Sequence, residues 1–167
     1  MSNYIVGITA SSFDLLHAGH ILMLREAKSV CDHLICALQT DPSLDRPDKN
    51  VPVQTYMERY IQLDAVKYVD EIIPYSTEEE LLALLQHLPV NVRIIGEDYY
   101  DKDFTGKDLA KMKIHYNKRR HEFSTTDLKR RVAAYINPVR AQNLGKPTSV
   151  PVPLAIPPST SEKSRYV

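Results

Sequence analysis

The sequence predicts an α/β fold, a doubly wound, all-parallel sheet of five strands with helices on both faces. Three observations predict it. Short β-type apolar runs alternate with amphipathic stretches over residues 4–135. The alternation proceeds without an internal repeat, and consecutive strands joined through helices imply right-handed crossovers and parallel pairing. Polar segments follow the first, fourth and fifth apolar runs directly, at the carboxyl ends where open parallel sheets bind ligands.

Each element has its own reason. Tyr4–Thr9 reads as the first buried strand. Ala18–Val30 reads as a helix, with Ile21, Leu24, Ala27 and Lys28 at helical spacing. Leu34–Leu38 is the second strand. Asp41–Pro52, rich in proline and aspartate, is a loop. Thr55 caps a helix running to about Val66, and Glu58 three residues on completes a capping-box pattern. Glu71–Ile73 is a short third strand, stopped by Pro74. Thr77 and Glu80 repeat the cap, and LLALL continues that helix to His87. Val92–Ile95 is the fourth strand, ending at Gly96, and Lys113–Tyr116 is the fifth. Ser124 opens the last helix, Thr125 to about Tyr135. Residues 1–136 therefore form one domain. Residues 137–167 read as a Pro/Ser-rich flexible tail, because six of the eleven prolines fall between Pro138 and Pro158.

Composition narrows the class. A chain of 167 residues, 43% hydrophobic and 25% charged, can bury one real core. No apolar run approaches the roughly 20 residues of a membrane span. The N-terminus shows no secretory pattern. Cys31 and Cys36, the only cysteines, are expected to be buried and inert, and a reducing, cytoplasmic location follows from their scarcity. Net charge is zero but unevenly spread. Residues 1–106 hold eight Lys/Arg against seventeen Asp/Glu, whereas residues 107–131 hold nine against three. That basic segment is either a solvated face or the side that meets phosphates. It lacks interleaved aromatics, so no nucleic-acid partner is expected.

The chemistry concentrates in SSFDLLHAGH, Ser11–His20. His17 and His20 lie three apart at a helix start, so both rings can face one side. The helix N-terminus adds unpaired N–H groups and partial positive charge, which makes an anion site suited to phosphate. Gly19 lets a ligand come close to the backbone. Histidines at this spacing can also share a metal, but no third His or Cys ligand is near, so no metal site is assigned.

FDLLHAGH resembles the signature of the HxGH nucleotidyltransferases, and FDLLH points to their cytidylyltransferase branch. KYVDEIIP (Lys67–Pro74), GEDY (Gly96–Tyr99) and RRHEFSTT (Arg119–Thr126) resemble further family segments in the same order. The likeness covers residues 4 to about 135 and is greatest to the bacterial glycerol-3-phosphate cytidylyltransferases. It implies a Rossmann-like sheet of the nucleotidyltransferase type, and transfer of a nucleotidyl group from CTP to a phosphorylated alcohol with release of pyrophosphate. It also implies roles for residues. His17, His20 and Arg119 would be catalytic, stabilising charge on the α-phosphate and binding phosphate. Ser11, Ser12, Phe13, Gly19, Arg46, Lys49, Gly96, Asp98, Ser124, Thr125 and Thr126 would bind nucleotide or phosphate. Asp14, Arg59, Lys67 and Tyr99 would bind the acceptor, Asp14 alternatively fixing the loop. Mg²⁺ would arrive on the triphosphate, and a homodimer is in keeping with the family.

The chain departs from the family pattern in four places. Ser11 and Glu122 stand for glycines, Tyr99 for a tryptophan and Lys67 for an arginine. Other acceptors (ethanolamine, choline or sugar phosphate), an adenylyltransferase, and a nucleotide-binding sensor without turnover are the alternatives.

Overall fold

The computed structural model describes residues 4–136. Its five strands are β1 Val6–Ser11, β2 His33–Gln39, β3 Glu71–Tyr75, β4 Val92–Gly96 and β5 Lys113–Asn117. All pair in parallel, in the order β3-β2-β1-β4-β5. The four helices are α1 Ala18–Ser29, α2 Tyr56–Asp64, α3 Glu78–His87 and α4 Thr125–Ile136. The chain runs from β1 outward through β2 to β3, then returns to β4 beside β1. The order therefore reverses between β1 and β4, which opens a crevice at their carboxyl ends.

Two apolar clusters flank the sheet. One gathers Phe13, Leu24, Ala27, Leu63 and Ile94 under α1 and α2. The other gathers Ile8, Ile35, Ala37, Leu81 and Leu85 under α3. Side chains alternate faces along a strand, so Val92 and Ile94 join the first cluster and Arg93, between them, projects to the α3 side.

The element starts follow their caps. Thr55 Oγ1 accepts from the Glu58 N–H at 3.3 Å while the Glu58 carboxylate takes the Thr55 N–H at 2.7 Å, a complete capping box. Thr77 accepts from the Glu80 N–H at 3.1 Å, but the Glu80 carboxylate takes the Ser76 N–H, one residue upstream of the cap. Strand limits differ from expectation at several ends, β5 for one running to Asn117 rather than Tyr116. β1 starts at Val6, not Tyr4, and extends to Ser11 because Leu38 of β2 continues to pair with it. β2 runs from His33 to Gln39, one residue longer at each end than expected. β3 continues through Pro74 to Tyr75. The Tyr75 carbonyl faces β2, where it accepts from the Thr40 N–H at 2.8 Å. Residue 74 therefore points its missing N–H away from the sheet, and an edge strand tolerates that. The expected tail lies outside the described residues. Among the described residues no helix is long and apolar enough to cross a membrane.

Candidate active site

The site begins with a strained loop. Between β1 and α1, Phe13 and Leu15 both adopt the left-handed region, with φ of 48° and 50°, which costs each about 1 kcal/mol or more. Surrounding bonds enforce it. The two Asp14 carboxylate oxygens accept the Val53 and Gln54 N–H groups, each at 3.0 Å. The Leu15 N–H donates to Gln54 Oε1 at 2.8 Å. Ser11 Oγ accepts from the Phe13 N–H at 3.3 Å, so this serine closes the turn locally. Asp14 thus fixes the loop, and it also lines a cleft beside the loop. The Phe13 ring is 1% exposed in the core and meets His20 edge-on at 5.7 Å, so its side chain supports the histidine and faces no nucleotide.

His17 is the N-cap of α1 and His20 lies in its first turn. The Gly19 N–H donates to His17 Nδ1 at 3.0 Å, and the His17 N–H to His20 Nδ1 at 3.4 Å. Because both Nδ1 atoms accept, each neutral ring carries its proton on Nε2. The rings stack with centroids 4.1 Å apart. Burial pulls the His20 pKa down to about 4, reinforced by His17 and opposed by Asp14. Burial also lowers His17, with His121, Arg119 and Arg131 adding to the effect. Both rings are therefore neutral donors near pH 7. Thr125 Oγ1 lies 3.3 Å from His17 Nε2, which ties the start of α4 to the clamp. Gly19 is required by close approach: a Cβ there would sit 2.8 Å from His17 Cε1 and 2.9 Å from His121 Cε1. Its nearest neighbours are imidazoles, and it also lines the first cleft.

Two clefts flank this clamp. The first, about 1230 Å³, is lined by His17, Gly19, His20, Gly96, Asp98, Arg119, His121, Ser124 and Thr126, with Lys118, Arg120, Arg130 and Arg131 beside them. The Arg119 N–H donates to Glu97 and its Nη2 to the Phe123 carbonyl at 3.3 Å. Ser124 Oγ accepts from the Asp127 N–H at 3.1 Å and so caps α4. Asp98 Oδ1 lies 2.5 Å from where a Cβ on Gly96 would be, so its carboxylate folds back over the glycine. Glu122 also faces this cleft.

The second cleft, about 710 Å³, is lined by Ser11, Ser12, Asp14, His20, Arg46, Lys49, Gly96, Tyr99, Thr125 and Thr126, and also by Gln39, Tyr75, Glu78 and Arg93. Arg46 pairs with Glu78 at 3.1 Å and donates to Gln39. Lys49 is exposed, 3.9 Å from Asp48. The Tyr99 ring packs edge-on against Phe104. His20, Met23, Gly96 and Thr126 line both clefts and form their common wall.

Two expected acceptor residues lie elsewhere. Arg59 is 1% exposed. Its guanidinium donates to the carbonyls of Ser12, Gln39, Thr40 and Gln54, so it ties three loops together and has little left for a phosphate. Lys67 lies three residues past the end of α2, in a turn, so it does not share a helix face with Arg59 as the eight-residue spacing suggested. It stands exposed over the Tyr68 ring, just before β3, at the amino edge of the sheet. Sequence reasoning missed His121 and Arg93. His121 stood inside a recognised motif at a position with no assigned role. Arg93 was read only as part of an apolar strand, VRII.

Known proteins resemble this arrangement. The family described as cytidylyltransferase-like matches residues 8–131. The chain is 34% identical over 127 residues to the glycerol-3-phosphate cytidylyltransferase of Bacillus subtilis, covering 75% of this chain and 95% of that protein. It is 34% identical over 107 residues to the bifunctional protein HldE of Granulibacter bethesdensis, covering 64% of this chain but only 22% of that longer protein. Among solved structures, a lipopolysaccharide core biosynthesis protein from Thermoplasma volcanium matches with a TM-score of 0.56 at 23% identity, covering 72% of this chain and 98% of that one. Pantoate-beta-alanine ligase from Francisella tularensis matches with 0.53 at 19%, covering 81% and 72%. These two likenesses concern the fold. The match over residues 8–131 and the near-complete coverage of the Bacillus enzyme establish that the chain belongs to the cytidylyltransferase-like family of nucleotidyltransferases.

Proposed function

We propose that the protein transfers CMP from CTP to a small phosphorylated alcohol such as glycerol 3-phosphate and releases pyrophosphate. The observation that carries this reading is the wall common to the two clefts. With nucleotide in the basic cleft and acceptor in the other, an α-phosphorus at His20, Gly96 and Thr126 is open from the acceptor side. An acceptor phosphate oxygen attacks it, the bond to the β-phosphate oxygen breaks, and pyrophosphate leaves toward Arg119 and the start of α4. Such a reaction needs positioning and charge neutralisation more than covalent help. The Nε2–H groups of His17 and His20 donate to the α-phosphate as it becomes five-coordinate. Arg119, the α4 N-terminus and the hydroxyls of Ser124–Thr126 hold the leaving end.

Mg²⁺ belongs to this reading as a companion of the triphosphate, where it offsets phosphate charge. Among the described residues no group of three or more His, Cys, Asp or Glu is placed to hold a metal, and Asp14, beside the clamp, accepts two backbone N–H groups. That set suits an ion bound mainly by phosphates and water.

The test is pyrophosphate release with CTP or ATP against a panel of phosphorylated alcohols. Release with CTP and glycerol 3-phosphate is the expected result. Release with ATP alone replaces the nucleotide, and nucleotide binding without release for every pair refutes the transferase reading.

A further inference from the structure

The second cleft holds a charge that the reaction above does not use. Arg93 is 4% exposed and lines that cleft with Tyr75, Glu78 and Phe104. Its Nε and Nη1 are buried without any hydrogen-bond partner among the described residues. The nearby carboxylate, Glu78, does not serve it. That group pairs with Arg46 at 3.1 Å and accepts from the Thr105 hydroxyl. A buried, unpartnered guanidinium costs folding free energy. A fold retains such a cost where a ligand completes the bonds.

We propose that Arg93 binds an anionic group, carboxylate or second phosphate, at the end of the acceptor remote from its reacting phosphate. The placement supports it. The common wall with His20 and Gly96 takes the reacting phosphate. Arg93 lies three residues before Gly96 on β4, about 10 Å back along the strand, and so marks the far end of the acceptor space. Tyr75 beside it is a polar partner for a hydroxyl on the chain between. The acceptor class is then a short phosphorylated hydroxy acid or a bisphosphate, and a neutral polyol phosphate is the poorer substrate. This inference rests on the second cleft being the acceptor site.

The experiment is a calorimetric binding series that needs no turnover. The probes are glycerol 3-phosphate, 3-phosphoglycerate and propane-1,3-diol bisphosphate, titrated into the full chain and into Arg93→Met and Arg93→Lys. At least one of the two probes that carry a second anionic group is expected to bind tenfold or more tightly than glycerol 3-phosphate. The one that does so distinguishes carboxylate from phosphate. Arg93→Met is expected to erase that preference, and Arg93→Lys to keep part of it. The ligand-free Arg93→Met protein is expected to melt at the same temperature or higher, since an unpaired buried cation has been removed. Equal affinity for the three probes overturns the proposal, as does a preference that survives Arg93→Met. A melting temperature several degrees lower in Arg93→Met, showing the residue to be a structural support, also overturns it. Absence of pyrophosphate release with every acceptor would instead count against the transferase reading, while the affinities still decide the role of Arg93.

Discussion

At the scale of single residues, the histidine clamp is set by two backbone N–H groups. Each Nδ1 accepts one, so each Nε2–H is turned away from the backbone, that of His17 toward Thr125 Oγ1 at 3.3 Å. Replacing His17 or His20 by Ala removes one donor to the transition state. Each change is expected to lower kcat by about a hundredfold or more, with circular dichroism unchanged; steady-state pyrophosphate release checks it. His20 also couples stability to pH. Its folded pKa, about 4, lies below the unfolded value of 6.5. Between those two values the unfolded chain binds more protons, so stability falls as pH drops through that window and is fully present above it. The loss from this group is at most about 3 kcal/mol. Urea midpoints measured at pH 7.5 and 5.0 are expected to differ by clearly less in His20→Gln than in the native protein. An equal difference would show that His20 is not the titrating group.

At the scale of elements, the two ends of α2 do different work. Its first turn carries Arg59 beneath three loops, and the segment beyond its last turn carries Lys67 at the opposite edge of the sheet. Arg59→Met leaves four carbonyls without their donor and is expected to cost at least about 3 kcal/mol, read by urea unfolding. Lys67→Ala is expected to leave kcat/KM within twofold for any acceptor. Strands, caps and the motif order were legible because they depend on local spacing. The Thr55–Glu58 box and the His17–His20 pair could be read directly. The destination of Arg59 was not legible, because its partners are carbonyls of residues 12, 39, 40 and 54, which only the tertiary fold brings together. Pro74 was misread for a similar reason. A proline ends a central strand but fits an edge, and local sequence does not say which strand is the edge. Arg93 had one faint signal, a lone charge inside an otherwise apolar strand.

At the scale of the whole molecule, the charge asymmetry gains a location. Lys118–Arg120, Arg130 and Arg131 line the first cleft, so the basic stretch after an acidic body faces the space that the proposed reaction gives to the nucleotide. Raising ionic strength from 0.01 to 0.15 M shortens the screening length from about 30 to 8 Å. The nucleotide association rate is expected to fall several-fold over that range, while the single-turnover rate at saturation stays constant; stopped-flow binding separates the two. The sheet has one further property at this scale. Its β3 margin would be a ready template for another chain, because unpaired amides recruit strands. Pro74 breaks that template at an outward-facing position. Pro74→Val would restore a continuous row of donors there, and light scattering at high concentration is expected to show self-association that the native chain resists. A residue that first looked like the end of a strand thus acts as a guard against polymerisation.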